Sequence, residues 1–313
     1  IKNYLKPTEL VYSGTIKTKE ITSPVNVYFD EYGVPSVFAE NDEDMFFVAG
    51  YIGARDRLFQ MAFLRYAYRG QLSETLNDTL FSEDKFLRTL GFETIAEKSL
   101  EKMPQEFVLN LQKTCDGINT YAQSLKPSEY PLEFRLIGIK ELPTFEPKDI
   151  VGLSTMMAWE LQGGWDSELF FGAVQEQFGD QHLADILPSY KKEYPTIAAN
   201  TLLSAYKDYS TTTKRLRKIL QTDKSGYGSN AWVVSGENTQ TGLPLLANDP
   251  HLALNLPPWW YEIRMKGEKY NFGTYYALLI GNNDYKNVGF DDLQTPINDI
   301  NAIKDILEKK YGF

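Results

Sequence analysis

Residues 226–236 read GYGSNAWVVSG, a glycine-rich turn that leads Ser229 directly into an apolar run. How this stretch is read decides how the rest of the chain is organised. Asn230 to Ser235 has strand character, the polar GENTQTG follows, and Leu243 to Ala247 reads as a second strand, with Asn238, Thr241 and Gly242 suited to the reversal. A β-hairpin follows the serine directly.

Upstream of it, residues 187–228 are polar and proline-marked, with only a weak helical signal near Leu202, and read as a connector. The basic cluster KRLRK, Lys214 to Lys218, reads as a solvated helix face or linker. Further upstream the chain is mainly helical. Asn41 to Gln71 places Asp42 or Asp44 near a helix start and repeats Phe47, Tyr51, Ala54, Leu58, Met61 and Leu64 at three- and four-residue spacing, which predicts a long amphipathic helix ending near Gly70. Further helices are expected at Glu93–Leu100, Pro104–Leu125 and Pro147–Leu161. Ahead of them, Val25 to Phe38 alternates apolar and polar residues around DEYGVP, the mark of two strands and a tight turn.

The 313 residues are 42% hydrophobic, enough for a substantial core, with no apolar run approaching the roughly 18 residues of a membrane span. A net charge of -10 and a pI near 4.9 argue against a nucleic-acid partner, which needs lysine and arginine to displace counterions from phosphate. The single cysteine, Cys115, forbids an intrachain disulfide, and with only His182 and His251 there is no zinc spacing. The opening IKNYLKPTEL has no signal-peptide pattern, and the chain starts at Ile1, which leaves the compartment open.

A serine hydroxyl is a poor nucleophile without a base in hydrogen-bond reach, and neither histidine is close to Ser229 in sequence. If the bond before Ser229 were cut, the new α-amine, with a pKa near 8, could serve as base for its own hydroxyl. Gly228 before it would allow the close approach that an N-to-O acyl shift requires. On these residues alone, a turn with a capping hydroxyl is the commoner outcome.

The flanking blocks add a resemblance. SNAWVVSGENTQTGLPLLANDPHL, residues 229–252, resembles the start of the β-subunit in the penicillin acylase family of N-terminal nucleophile hydrolases. DEYGVPSVFAENDEDMFFVAGYIGARDRLFQMAFLRYAYRGQLSE and DKFLRTLGF resemble its α-subunit opening, so the resemblance covers about residues 11–267 in order. It implies an α+β fold: an αββα sandwich, incomplete here, beside a helical α-subunit-like region. It implies autoproteolysis between Gly228 and Ser229, with Ser229 as nucleophile, its amine as base, and His251, 22 residues on, orienting the serine. A turn-capping histidine is the competing reading, and Asn248 and Asp249 are expected to shape a turn. Glu168, in WDSELFFG, matches a glutamate that helps bind calcium in several members; a surface charge or ion pair is the alternative. Met157, Trp159, Trp232 and Trp259 are the candidate acyl-pocket residues, with Met156 beside them, although aromatics as dense as the cluster Trp259, Trp260, Tyr261 are more often core.

From Tyr275 the sequence departs from this pattern. ALLIGNNDY and INDINAIKDILEKKYGF resemble the first strand and helix of a caspase-like, metacaspase-type domain, with Ile297, Ile300, Ile303 and Leu307 on one face. No histidine follows His251 and no cysteine follows Cys115, so that fragment lacks a catalytic pair. The expected organisation is an α-subunit-like region at 1–190, a connector at 191–228, a β-subunit opening at 229–274 and a βα fragment at 275–313. Three functions stay open. One is a self-processing acylase that hydrolyses N-acylated small molecules of the penicillin, cephalosporin or acyl-homoserine-lactone type, forms an α/β heterodimer of its own fragments and, by resemblance, acts in the periplasm or outside the cell. The second is a truncated or chimeric non-catalytic relative, and the third is part of a caspase-like peptidase.

Overall fold

The structure is a computed structural model that describes residues 12–161, 165–179, 181–182, 202–222, 228–240, 242, 244–252 and 255–272. The caspase-like stretch at 275–313 lies outside the described residues. What is described is an α+β arrangement in which helices dominate.

Strand β1 (Asn26–Phe29) and β2 (Pro35–Phe38) form the expected hairpin, and the Asp30 carboxylate accepts from the Tyr32 and Val34 backbone N–H groups inside its turn. Helix α1 (Asp42–Tyr68) then begins where the acidic residues predicted, with Asn41 as its cap: the Asn41 side chain accepts from Asp44 N at 2.8 Å. Phe47, Ala54 and Leu58 are buried as their spacing demands. At Arg57, φ -138 and ψ 17 leave the helical region and kink the helix.

Short α2 (Leu72–Thr75), α3 (Phe81–Leu90) and α4 (Phe92–Lys102) follow. Asp84 on α3 reaches back to cap α2, accepting from Leu72 N at 2.8 Å and Ser73 N at 2.7 Å, and Arg88 Nε donates to the Gly70 carbonyl at 2.8 Å. The two blocks GQLSE and DKFLR are therefore one structural unit. Helix α5 (Gln105–Ser124) packs against α1 through a glycine pair: a Cβ at Gly50 would overlap the Thr114 carbonyl, and one at Gly117 the Phe47 carbonyl. Only glycine lets two helix backbones approach so closely. Around that contact Ala54, Leu58, Cys115, Ile118 and Phe134 form one core cluster, with Phe134 coming from α6 (Leu132–Ile137). Burial pushes the Cys115 thiol up, so it is an inert core residue.

Helix α7 (Pro147–Leu161) begins at a buried charge network. Asp149 accepts from Tyr68 Oη at 2.5 Å and Arg69 Nε at 2.8 Å, with Arg65 at 3.1 Å. Helix α8 (Trp165–Phe178) leads to α9 (Leu202–Leu220), 19 residues where the sequence carried only a weak signal near Leu202. Its Leu216 and Leu220 join Tyr68, Leu87, Phe92 and Met156 in a second core cluster. The stretch looks polar overall because lysine, arginine, serine and threonine outnumber its apolar residues, although Leu216 and Leu220 fall on one face.

After α9 come β3 (Gly228–Val234) and β4 (Leu245–His251), paired antiparallel as a two-stranded sheet. Strand β3 takes in Gly228 and Ser229, instead of starting after them. Asn248 and Asp249, expected in a turn, stand in β4 opposite Ala231 and Asn230. The ladder extends to the end of the NDPH run because that run continues the register set at Leu245. Finally β5 (Arg264–Lys266) pairs parallel to β2, and β6 (Asn271–Phe272) antiparallel to β5, giving a four-stranded sheet of order β1-β2-β5-β6. One sheet thus joins strands from both sides of the Gly228–Ser229 bond.

Candidate functional site

The ladder sets the local geometry around Ser229. Gly228 lies opposite His251, and Ser229 opposite Pro250. Directly opposed residues share a face of an antiparallel pair, and successive residues alternate. The imidazole therefore lies on the face of Gly228, and the Ser229 side chain projects to the other. His251 Nδ1 is 3.6 Å from where a Gly228 Cβ would stand, an ordinary van der Waals contact. Gly228, Ser229 and His251 are all exposed. The structure so brings the two candidate processing residues and the histidine together, around the peptide bond that joins Gly228 to Ser229.

The proposed pocket residues are spread more widely. Trp232, opposite Ala247, is 55% exposed. Trp259 lines a cavity of about 160 Å³ with Phe59, Phe63, Leu64, Leu220 and Pro257, between α1 and α9. Trp159 sits in the helical core, its ring 5.9 Å from those of Phe86 and Phe92, beside buried Met156, while Met157 is half-buried on the same helix. Trp159 and Trp259 nevertheless share one cluster, since Phe63, Leu64 and Leu220 line the Trp259 cavity and belong to the core that Trp159 packs against. Glu168 lies in α8, and its side chain is outside the described residues. Among the described residues no group of three or more histidine, cysteine or carboxylate side chains is placed to hold a metal ion.

Sequence reasoning missed a set of residues that hold the segment after Ser229 onto α1. The Asp42 carboxylate accepts from Lys269 N at 3.1 Å and Tyr270 N at 3.2 Å. Tyr261 Oη donates to Asp56 Oδ2 at 2.6 Å, and Arg57 stands 5.9 Å over the Tyr261 ring. Gln60 Nε2 donates to the Pro258 carbonyl at 3.1 Å. Burial of Tyr261 and its bond to Asp56 push the phenol pKa upward, so it stays a neutral donor. The signal was available: Asp42, Asp56 and Gln60 recur along one helix, yet polar residues on an amphipathic helix look like a solvated face until their partners are known.

The sequence profile of the penicillin amidase family matches residues 24–284. Among curated proteins, the chain is 26% identical over 273 residues to penicillin acylase 2 proenzyme of Pseudomonas sp. (strain SE83), covering 83% of this chain and 34% of that protein. It is 24% identical over 265 residues to the acyl-homoserine lactone acylase QuiP of Pseudomonas aeruginosa, covering 82% and 31%. It is 25% identical over 323 residues to penicillin G acylase of Escherichia coli, covering 85% and 38%. The chain spans about a third of the length of these relatives. Among solved structures, a thermostable penicillin G acylase from Alcaligenes faecalis aligns at TM-score 0.47 and 21% identity, over 57% of this chain and 98% of that one.

Proposed function

Since the chain belongs to the penicillin amidase family, we propose that it is an amidohydrolase precursor that breaks its own Gly228–Ser229 bond and then acts on N-acylated small molecules. The observation that carries this reading is the placement of Gly228 directly across from His251 on an exposed strand that continues into Ser229. In the first reaction Ser229 Oγ attacks the Gly228 carbonyl carbon. The C–N bond breaks, the departing nitrogen takes up a proton, and an ester joins Gly228 to Oγ. Water hydrolyses that ester, leaving a carboxylate on Gly228 and a free α-amine on Ser229.

In the second reaction the amine, with a pKa near 8, takes the Oγ proton as the hydroxyl attacks the substrate's amide carbonyl, and passes it to the leaving nitrogen. An acyl ester forms and water releases the carboxylic acid. Residues 1–190 form the α-like part and residues 229–274 the β-like opening of an αββα sandwich, with 191–228 between them. The pairing of β2 with β5 and the bonds from Asp42, Asp56 and Gln60 support a heterodimer that stays together after the cut. Penicillins and acyl-homoserine lactones, as the relatives' names suggest, and cephalosporins beside them are the substrates to screen, and the periplasm or exterior is the compartment to examine.

The experiment is an intact mass spectrum of the purified full chain beside a Ser229→Ala variant. Two fragments meeting at Gly228–Ser229 in the parent, and one chain in the variant, are expected. An uncut parent overturns self-processing and leaves an acylase-like fold without the chemistry.

A further inference from the structure

Helix α9 leads into the proposed cleavage site, in the stretch that reads as a connector, yet it is locked into the helical core at three places. Arg215 Nε pairs with Glu83 of α3 at 3.1 Å, and its Nη2 donates to the Thr79 carbonyl at 2.7 Å. Arg217 Nε pairs with Glu160 of α7 at 3.1 Å. Both carboxylates are buried, 1% and 6% exposed, so losing the arginine would remove a compensating charge from a buried carboxylate. Between these pairs Leu216 is fully buried beside Met156 and Leu87. At its far end the Gln221 carbonyl accepts from the Asn255 side chain, and Leu220 meets Pro257 and Trp259 around the small cavity.

We propose that Leu202–Leu220 is a permanent structural helix that remains bound between α3, α7 and α8 in the matured protein, not a linker to be discarded. A segment meant to leave would be held by exposed polar contacts. This one carries two ion pairs to buried carboxylates and two buried leucines, and it contacts the chain on both sides of Ser229. Its removal would open apolar surface from Phe86, Met156 and Trp159 to water. Trimming of the N-terminal fragment therefore stops beyond Leu220. A second consequence concerns Met156 and Trp159: covered by α9, they serve the core, and acyl specificity falls to residues elsewhere. The statement about the matured protein rests on the proposed break at Gly228–Ser229; the docking of the helix does not.

The test is limited thermolysin digestion of the native full chain, read by peptide mass, with size-exclusion chromatography of any self-cleaved protein. Cutting inside residues 202–220 is expected to be at least about 100-fold slower than in the denatured chain. The helix should co-elute with the N-terminal fragment. Arg217→Met should speed cutting by about tenfold or more, and Arg217→Lys, which keeps the charge, should restore most of the protection. Release of a peptide containing residues 202–220, or cutting at the denatured rate in the parent protein, overturns the assignment. An uncut Gly228–Ser229 bond in a protein whose α9 is protected would sink the processing reading alone.

Discussion

His251 stands directly across the β3–β4 ladder from Gly228, with its Nδ1 3.6 Å from the position of a Gly228 Cβ, while Ser229 turns its side chain to the opposite face. In the uncut chain the imidazole therefore addresses the acyl side of the Gly228–Ser229 bond, not the hydroxyl. His251→Ala is expected to slow self-cleavage by about 100-fold without unfolding the protein, because the site is exposed and the ladder is backbone-made. A gel time course beside the circular dichroism spectrum measures this. Unchanged cleavage would remove His251 from the processing step.

The α1–α5 contact predicts opposite signs for two glycines on one helix. Gly50→Ala would push a methyl group into the Thr114 carbonyl and should cost about 1–3 kcal/mol, or more if the helices separate. At Gly53 a Cβ meets nothing within 4 Å, so Gly53→Ala should gain up to about 1 kcal/mol from helix propensity. Urea midpoints of the two variants decide it, and equal shifts would mean that the backbones are not in contact.

Asp149 should behave as a buried ion with no substitute. Replacing it by Ala leaves Arg65 and Arg69 without their shared carboxylate and Tyr68 without its acceptor, and is expected to destabilise by about 3–5 kcal/mol. Tyr68→Phe removes the bond donated to Asp149 and the one accepted from Arg69 Nε but leaves the carboxylate in place, and should cost about 1–2 kcal/mol. Similar losses in both variants would show that the network is dispensable.

Asp44 predicts an acid limb. Burial acts to raise its pKa, but donors from Asn41, Thr22 and Ser23 outweigh it and hold the carboxyl below its ordinary value. A depressed folded pKa contributes stability above the unfolded value, near 3.9, and that stability is lost as pH falls through the folded pKa. Denaturant midpoints measured down from pH 5 should therefore fall less steeply for Asp44→Asn than for the parent, with the difference confined to pH below about 4. Parallel curves would remove Asp44 from the acid response.

If the Gly228–Ser229 bond breaks, the fragments should travel as one species in size-exclusion chromatography. Asp42→Ala combined with Tyr261→Phe removes the bonds from Lys269 N and Tyr270 N to Asp42 and from Tyr261 to Asp56, and should promote dissociation at low concentration. Separation of the parent fragments under native conditions would contradict the shared sheet.

What the sequence determined by itself is what neighbouring residues control. The α1 start follows from an asparagine cap with acids in the first turn, and the β1–β2 turn from Asp30 and Gly33. The serine at a glycine turn, ahead of an apolar strand, is legible because its proposed chemistry needs only its own backbone nitrogen and the residue before it. The tertiary structure decided the rest. Ser36 finds Arg264 across the sheet, Asp42 finds the turn at 269–270, and Arg215 and Arg217 find buried glutamates on two other helices. None of these has a sequence period, because closing a long loop costs entropy that only the assembled core repays. A polar residue on a helix face looks the same whether it meets water or a partner, and α9 became a core helix only when the groove that receives it had formed.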